Sequence, residues 1–253
     1  MEERPPPCLN APIAEAVLEL RCTRPDGLAL DSLAALHRAE TARYPHVHTL
    51  HAVEAEFHAK LDESTQNPVT STARQTPAGF VGISADRLQV FHARLDGFVF
   101  SRLSPYAGWA DFSAEARRLW TAYREIASRA LISRVAIRTI NRLEFLAPMA
   151  DPASFLRTMP LIGSGVGSTI SNFYMQVEVP QPEIEGVAII TEATVDPPSP
   201  QRIAFVLDID LWRTADLPQD ESSLWELLGR MRRKKDDIFE ACMTDRTREG
   251  FRQ

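Results

Sequence analysis

Three arginines recur at every fourth position of one apolar-rich segment: Arg134, Arg138 and Arg142. Residues an even number apart in a β-strand point to the same face, so these guanidinium groups would form a row with steps of about 13 Å. Farther along the chain, Asp208 and Asp210 would present two carboxylates on one face of another strand. Guanidinium groups bind phosphates and carboxylates, whereas paired carboxylates can hold Mg²⁺ or act as acid and base. The pattern predicts either a polar binding surface or a set of salt bridges.

The partners of these arginines decide between the two interpretations. Arg138 and Arg142 could pair with Asp208, Asp210 or Glu178 on neighbouring strands, and each exposed pair would contribute well under ~1 kcal/mol. The arginines would otherwise be free to bind phosphates or an acidic partner, with Arg117, Arg118 and Arg124 beside them. The sequence leaves both alternatives open.

The formal net charge of −6 conceals two basic segments. Residues 117–142 contain seven arginines and one acid, Glu125, and Arg230–Lys235 contains five cations and no acid. The rest of the chain is therefore strongly acidic, and an anionic partner would have to meet one particular face. Few aromatic residues stand between the arginines, so base stacking is not indicated.

Five of the six histidines lie within residues 37–58: His37, His46, His48, His51 and His58. Glu54 and Glu56 follow closely, and histidine with carboxylate is a ligand set that suits zinc or iron. No fixed-spacing signature such as HExxH is present, and most of these histidines are expected on a loop after Pro45. We interpret them as solvated side chains and predict no metal and no cofactor.

Other motifs carry little chemistry. The glycine-rich segment 163–169 lacks the lysine of a phosphate loop and is expected to run from a helix into a strand, so we interpret it as a flexible connector. Every histidine precedes residue 93 and no GxSxG motif occurs, which disfavours a nucleophile activated by histidine. Tyr106 and Trp109 follow Pro105 in an expected loop, where they could form core or a partner contact.

The elements that position these residues follow from hydrophobic periodicity. Alternation predicts strands, and 3.6-residue spacing predicts helices near 31–44, 113–130 and from 220, with a short helix at 152–159. The expected strands are 13–22, 53–60, 79–84, 87–93, 97–103, 134–146, 173–179, 187–195 and 202–212. We predict one α+β domain over residues 1–253, with a large, mostly antiparallel sheet, three main helices packed on it, and two loosely similar halves, 10–125 and 126–245. Residues 62–77 are nearly all polar and are expected to form a flexible loop.

Composition indicates an ordinary globular protein, with 44% hydrophobic and 25% charged residues. The first ten residues are acidic and proline-rich, so we expect no signal peptide, and no apolar run approaches the ~20 residues of a membrane span. Cys8, Cys22 and Cys242 form no CxxC motif, which suits a reducing compartment. We expect a cytoplasmic protein with no membrane partner.

Several motifs recur together in a fixed order. Residues 10–21 read NAPIAEAVLELR, residues 98–109 read FVFSRLSPYAGW, and residues 137–143 read IRTINRL. In these motifs the chain resembles a sporadically distributed bacterial family of uncharacterised proteins of about this length, and the resemblance covers residues 10–245. Such a distribution implies an accessory gene of a mobile or defence-related locus, and it implies no catalytic residues.

We therefore expect a non-catalytic binding or accessory protein that recognises a protein partner through a polar, arginine-bearing sheet face. The residues expected to carry it are Arg134, Arg138, Arg142, Tyr106, Trp109, Asp208 and Asp210. One alternative is a nucleic-acid-binding protein that uses the arginine strand and Arg230–Lys235, with affinity that falls steeply with salt. A second alternative is a metal-dependent hydrolase that uses Asp208 and Asp210, to which the early histidines could add ligands. A homodimer is compatible with each of them.

Overall fold

A computed structural model describes residues 12–58, 70–127, 130–147, 152–160, 162–163, 165–166 and 170–251. In this part of the chain, nine strands form one antiparallel sheet and three main helices pack against it. The strands are β1 (Ile13–Cys22), β2 (His46–His58), β3 (Thr70–Ile83), β4 (Gln89–Arg94), β5 (Gly97–Leu103), β6 (Ile132–Leu146), β7 (Tyr174–Gln181), β8 (Gly186–Val195) and β9 (Arg202–Arg213). The helices are α1 (Leu30–Glu40), α2 (Trp109–Ile126), α3 (Glu221–Cys242) and the short α4 (Asp245–Gly250). This architecture confirms the predicted fold class.

The strand order across the sheet is β2-β3-β4-β5-β1-β6-β9-β8-β7. The first strand of each half, β1 or β6, lies at the centre of the sheet, and the two pair with each other. In each half the chain then crosses to the sheet edge and returns by antiparallel neighbours until it reaches its own first strand. The helix that follows, α2 or α3, packs on the same face.

Alternation along β1 explains which face the helices cover. Ala16, Leu18 and Leu20 are buried, whereas Val17 and Glu19 between them point to the opposite face. The buried side chains continue across the sheet because the register places Leu18 beside Phe100 on one side and Ile137 on the other. Period-2 burial of this kind is what an antiparallel sheet with one covered face requires.

Aromatic contacts attach α2 to the covered face. The ring of Phe98 lies 6.0 Å from Trp120 and 5.9 Å from Tyr123, and Phe100 lies 5.2 Å from Phe112, measured between ring centroids. These five positions on β5 and α2 follow the 2-residue and 3.6-residue spacings of their elements. The aromatic side chains of α2 therefore lie on the side of the helix that contacts the sheet.

An ion-pair network joins α1 to α2. Arg118 donates to both carboxylate oxygens of Glu40, at 2.6 and 2.7 Å, and to both oxygens of Glu115, at 2.8 and 3.0 Å. Glu40 is 8% exposed, so its charge depends on this partner. At the other end of the helical layer, the Asp220 side chain caps α3 by accepting from the backbone N–H of Ser223 at 2.9 Å.

The structure differs from the sequence predictions at several boundaries. α1 ends at Glu40 rather than near residue 44, and the helix expected at 152–159 is a single 3₁₀ turn, Pro152–Ser154. β2 begins at His46 directly after Pro45, so the histidine segment is strand rather than loop. β3 begins at Thr70, inside the expected polar loop 62–77, and residues 59–69 lie outside the described residues. Within the described residues, no helix is both long enough and apolar enough to cross a membrane.

Candidate binding face

The two faces of the sheet are covered differently. α1, α2 and α3 all pack on the face that carries Leu18, Phe98 and Ile137, and the described residues place no helix on the opposite face. We call the second surface the helix-free face: the outward-pointing residues of β5, β1, β6 and β9 and of their neighbours β4 and β8. It is built by the same alternation that fills the core, so its residues are fixed in position by the packing beneath them.

Six charged side chains occupy the middle of the helix-free face, and we call them the central charged cluster: Glu19, Arg21, Arg134, Arg138, Asp208 and Asp210. Arg138 binds Asp208 with two hydrogen bonds, one of them from Nε to Oδ1 at 2.8 Å. Arg134 binds Glu19 and also lies 3.5 Å from Oδ2 of Asp210. Arg21 Nε donates to Glu19 at 3.0 Å. The predicted salt bridge between Arg138 and Asp208 is therefore present.

The formal charges of the central charged cluster cancel, because it contains three arginines and three acids. Burial raises the pKa of Asp210, although Arg134 and Arg138 act to lower it. The hydrogen bond from Arg138 to Asp208 raises the pKa of that guanidinium group. The central charged cluster therefore combines hydrogen-bond donors and acceptors with no net formal charge.

A hollow of about 240 Å³ lies beside this cluster. Val17, Val99 and Ala136 form its apolar floor, and Asp210 and Arg138 are among the charged groups that line it. Ala136 sits between Glu19 on β1 and Trp212 on β9, so a small residue is flanked by two large ones. The depth of the hollow follows from that difference in side-chain size. A space of this volume accommodates one side chain of a partner.

Trp212, on β9, lies beside the hollow. Its side chain is half-buried on the helix-free face, and the guanidinium carbon of Arg134 lies 5.5 Å from its ring centroid. Tryptophan and arginine are the residue types that most often carry the binding energy of a protein interface.

Half-buried apolar side chains flank the central charged cluster on both sides. They point outward from β4 and β5 on one side and from β6, β8 and β9 on the other: Val90, Val99, Ile140, Val187, Ile189 and Val206. A face that only met water would carry polar residues at these positions.

The remaining predicted site residues, Arg142, Tyr106 and Trp109, lie outside the central charged cluster. Arg142 is on the same face of β6, but it pairs with Glu144 at 2.8 Å and donates to the Asp196 carbonyl oxygen at 2.7 Å. Tyr106 and Trp109 pack against Phe112 with centroid distances of 5.9 Å, in the helical layer on the other side of the sheet. The structure therefore does not bring Tyr106 or Trp109 together with the arginines.

The basic run on α3 is largely engaged within the protein. Arg232 pairs with Asp236 at 2.9 Å, and Lys234 pairs with Glu183 at 3.0 Å. Lys235 is 5% exposed, and its Nζ lies 3.3 Å from Thr139 Oγ1 and 2.9 Å from Asp236. Burial lowers the pKa of this lysine. These contacts engage three of the five cations of the run, whereas Arg230 and Arg233 are exposed.

The other candidate motifs do not converge. His46, His48 and His51 follow one another on β2, whereas His37 is on α1. Among the described residues, no three His, Cys, Asp or Glu side chains come together as a metal site would require. Both carboxylate oxygens of Asp208 are occupied by Arg138, which opposes a metal-binding role for that residue. The glycine-rich segment falls mostly outside the described residues.

The site residues predicted from the sequence did not include Glu19, Arg21, Ala136 and Trp212. The signal for the first two was available, since both stand on the polar side of the alternating pattern in β1. Trp212 follows Asp210 by two positions and therefore shares its face. Nothing local indicates that β1 lies beside β6, because Glu19 and Arg134 are 115 residues apart in the chain.

No family model matches the chain, and no curated protein matches it either.

Proposed function

We propose that this protein is a non-catalytic binding protein that recognises a polypeptide partner through its helix-free face. The observation that carries the proposal is the combination of a neutral, internally paired charge cluster with half-buried apolar residues on both sides. Interfaces between proteins combine these features: apolar side chains over much of the buried area, arginine and tryptophan near the centre, and charged groups that fix how the two surfaces align. The resemblance noted from the sequence adds the proposal that the protein serves an accessory, mobile or defence-related locus.

Two other functions have less support. A nucleic-acid-binding surface needs unpaired cations, because phosphate binding depends on counterion release by lysine and arginine. Here Arg134 and Arg138 are bound to acids, and three of the five cations of the α3 run are paired with Glu183 or Asp236. A metal-dependent hydrolase would need free carboxylates at Asp208 and Asp210, and Arg138 occupies the first.

We also propose a cytoplasmic location. Cys22 and Cys242 are both buried free thiols, and burial raises the pKa of Cys22 to about 12. Thiols of this kind are unreactive and need no oxidising compartment.

A photoreactive amino acid placed at Val99 tests the proposed function in cells that produce the whole chain. Val99 is on the helix-free face and forms part of the floor of the hollow, so its replacement adds volume where a partner would lie. The matched control carries the same amino acid at Glu226, an exposed position on α3. The proposal predicts a discrete polypeptide adduct from position 99 and none from position 226. Equal crosslinking at both positions, or none at position 99, would contradict it.

A further inference from the structure

We infer that the polypeptide that occupies the helix-free face is a second copy of this chain, packed sheet against sheet. The inference rests on the proposed function and names its partner. Three properties of the surface support a second copy of the chain as the partner: its area, its charge pattern, and the hollow and tryptophan near its centre.

The area is sufficient for a stable dimer. The helix-free face comprises six strands spaced ~4.8 Å apart, which average about ten residues at ~3.4 Å per residue and give roughly 1,000 Å² for the face. A standard interface buries about 800 Å² per partner. Twisted antiparallel sheets pack face to face at about −30°, so two copies of the same right-handed sheet can follow each other's twist.

The charge pattern permits self-association. In a two-fold interface each patch meets its own copy, so a surface with net charge would repel itself. The central charged cluster has three arginines and three acids, and the sign of the charge changes between neighbouring strands, because β6 carries Arg134 and Arg138 whereas β9 beside it carries Asp208 and Asp210. Arg21 is half exposed, and only its Nε is bonded to Glu19. Asp210 has its arginine partner at 3.5 Å, which leaves capacity for a closer donor from the second copy.

The hollow and Trp212, which we expect to anchor the dimer, lie near the middle of the sheet. β1 is the fifth of nine strands, and the hollow spans β5, β1, β6 and β9 around it. A two-fold axis through this region brings each hollow over the same region of the partner, where Trp212 stands beside it. Trp212 is therefore the side chain whose removal should weaken the dimer most.

The chain offers a matched pair of tryptophans for the test. Trp212 is half-buried on the helix-free face, 5.5 Å from the guanidinium carbon of Arg134. Trp225 is half-buried in the helical layer, 5.8 Å from the guanidinium carbon of Arg117. Both substitutions to alanine remove one indole and one cation–π contact, but only the first changes the helix-free face.

Sedimentation equilibrium of the full chain over a range of concentrations measures the dimer dissociation constant. The wild-type chain is expected to dimerise at micromolar concentration, and Trp212→Ala should raise the dissociation constant at least about 30-fold, the factor that corresponds to a typical hot spot. Trp225→Ala should change it by less than about threefold. If Trp212→Ala fails to fold by circular dichroism, Val99→Lys replaces it, because the long side chain of lysine can reach solvent without disturbing the core.

Two outcomes would overturn the inference. One is a wild-type chain that stays monomeric at every concentration, and the other is a dimer that Trp225→Ala weakens as much as Trp212→Ala. The crosslinking experiment separates this failure from that of the proposed function. A monomer whose position 99 crosslinks to a different protein excludes the second copy and keeps a binding face. A monomer whose position 99 gives no adduct excludes both.

Discussion

Replacement of Glu192 by glutamine is expected to remove a pH-dependent loss of stability. Glu192 points from β8 into the covered face of the sheet and is 0% exposed. One carboxylate oxygen accepts a hydrogen bond from Thr158 Oγ1 at 2.8 Å, and the other has no hydrogen-bond partner among the described residues. A buried carboxylate with one unpaired oxygen strongly favours its neutral form. Burial accordingly raises the pKa of Glu192 from 4.5 to about 7, and the Thr158 bond lowers it only in part.

The sign and size of the effect follow from proton linkage. The folded protein holds this proton up to about pH 7, whereas the unfolded chain releases it near pH 4.5. Between those pH values the folded state binds more protons, so the free energy of unfolding falls as the pH rises and then levels off above 7. The difference between the two pKa values corresponds to about 3 kcal/mol. Glutamine has no proton to lose, so this contribution disappears in the variant.

Urea denaturation followed by circular dichroism, at several pH values from 5 to 8, measures the effect. The stability of Glu192→Gln relative to the wild type should rise by about 2 to 3 kcal/mol over that range, because the wild type alone loses stability. Asp210 and other groups titrate in both proteins, so their contributions cancel in the difference. Glu178→Gln, at an exposed position on β7, is the matched control and should show no such trend. If the difference in the free energy of unfolding between Glu192→Gln and the wild type stays constant within about 0.5 kcal/mol from pH 5 to 8, the folded protein does not hold this proton above pH 5.

Three further predictions concern stability, each measured by urea denaturation at pH 7. Arg118→Ala should cost about 2 kcal/mol, because it leaves the buried carboxylate of Glu40 unpaired while the arginine itself is partly exposed; a cost below about 0.5 kcal/mol would contradict this. Arg138→Ala should cost less than Arg118→Ala, because Arg138 is bound to one acid, Asp208, whereas Arg118 is bound to two; a cost equal to that of Arg118→Ala would contradict this. Gly97→Ala should cost several times more than Gly27→Ala. Both glycines have positive φ, +149° and +83°, but a Cβ at Gly97 would meet a backbone carbonyl oxygen at 2.5 Å, whereas one at Gly27 would meet nothing within 4 Å. Equal costs would refute that steric argument.

Local periodicity was enough to predict most of the elements and the faces on which their residues lie. The alternation of Arg134, Arg138 and Arg142 placed all three on one face of β6, and the structure has them there. The helix expected near 113–130 is present as α2, about one turn earlier in the chain. These features depend on neighbours within a few positions, which is the range that the sequence pattern samples.

Strand pairing could not be predicted in the same way. Which acid meets Arg134 depends on the contact of β1 with β6, and that contact is set by packing across the whole sheet. Trp109 illustrates the opposite case, because a usable signal was missed. Gly108 adopts φ +130° directly before it, and the three-residue spacing from Trp109 to Phe112 places both on one side of a helix. That spacing indicated the start of α2, where the prediction had a loop.

Labelling of the two half-buried tryptophans by hydroxyl radicals tests most directly whether a partner covers the helix-free face. Trp212 and Trp225 are both half-buried and each has an arginine contact, so the purified chain in dilute solution gives a reference ratio of their labelling rates. In intact cells that produce the chain, we expect labelling of Trp212 to fall severalfold relative to Trp225. A ratio of Trp212 to Trp225 labelling that is the same in cells and in dilute solution would mean that no partner covers the helix-free face.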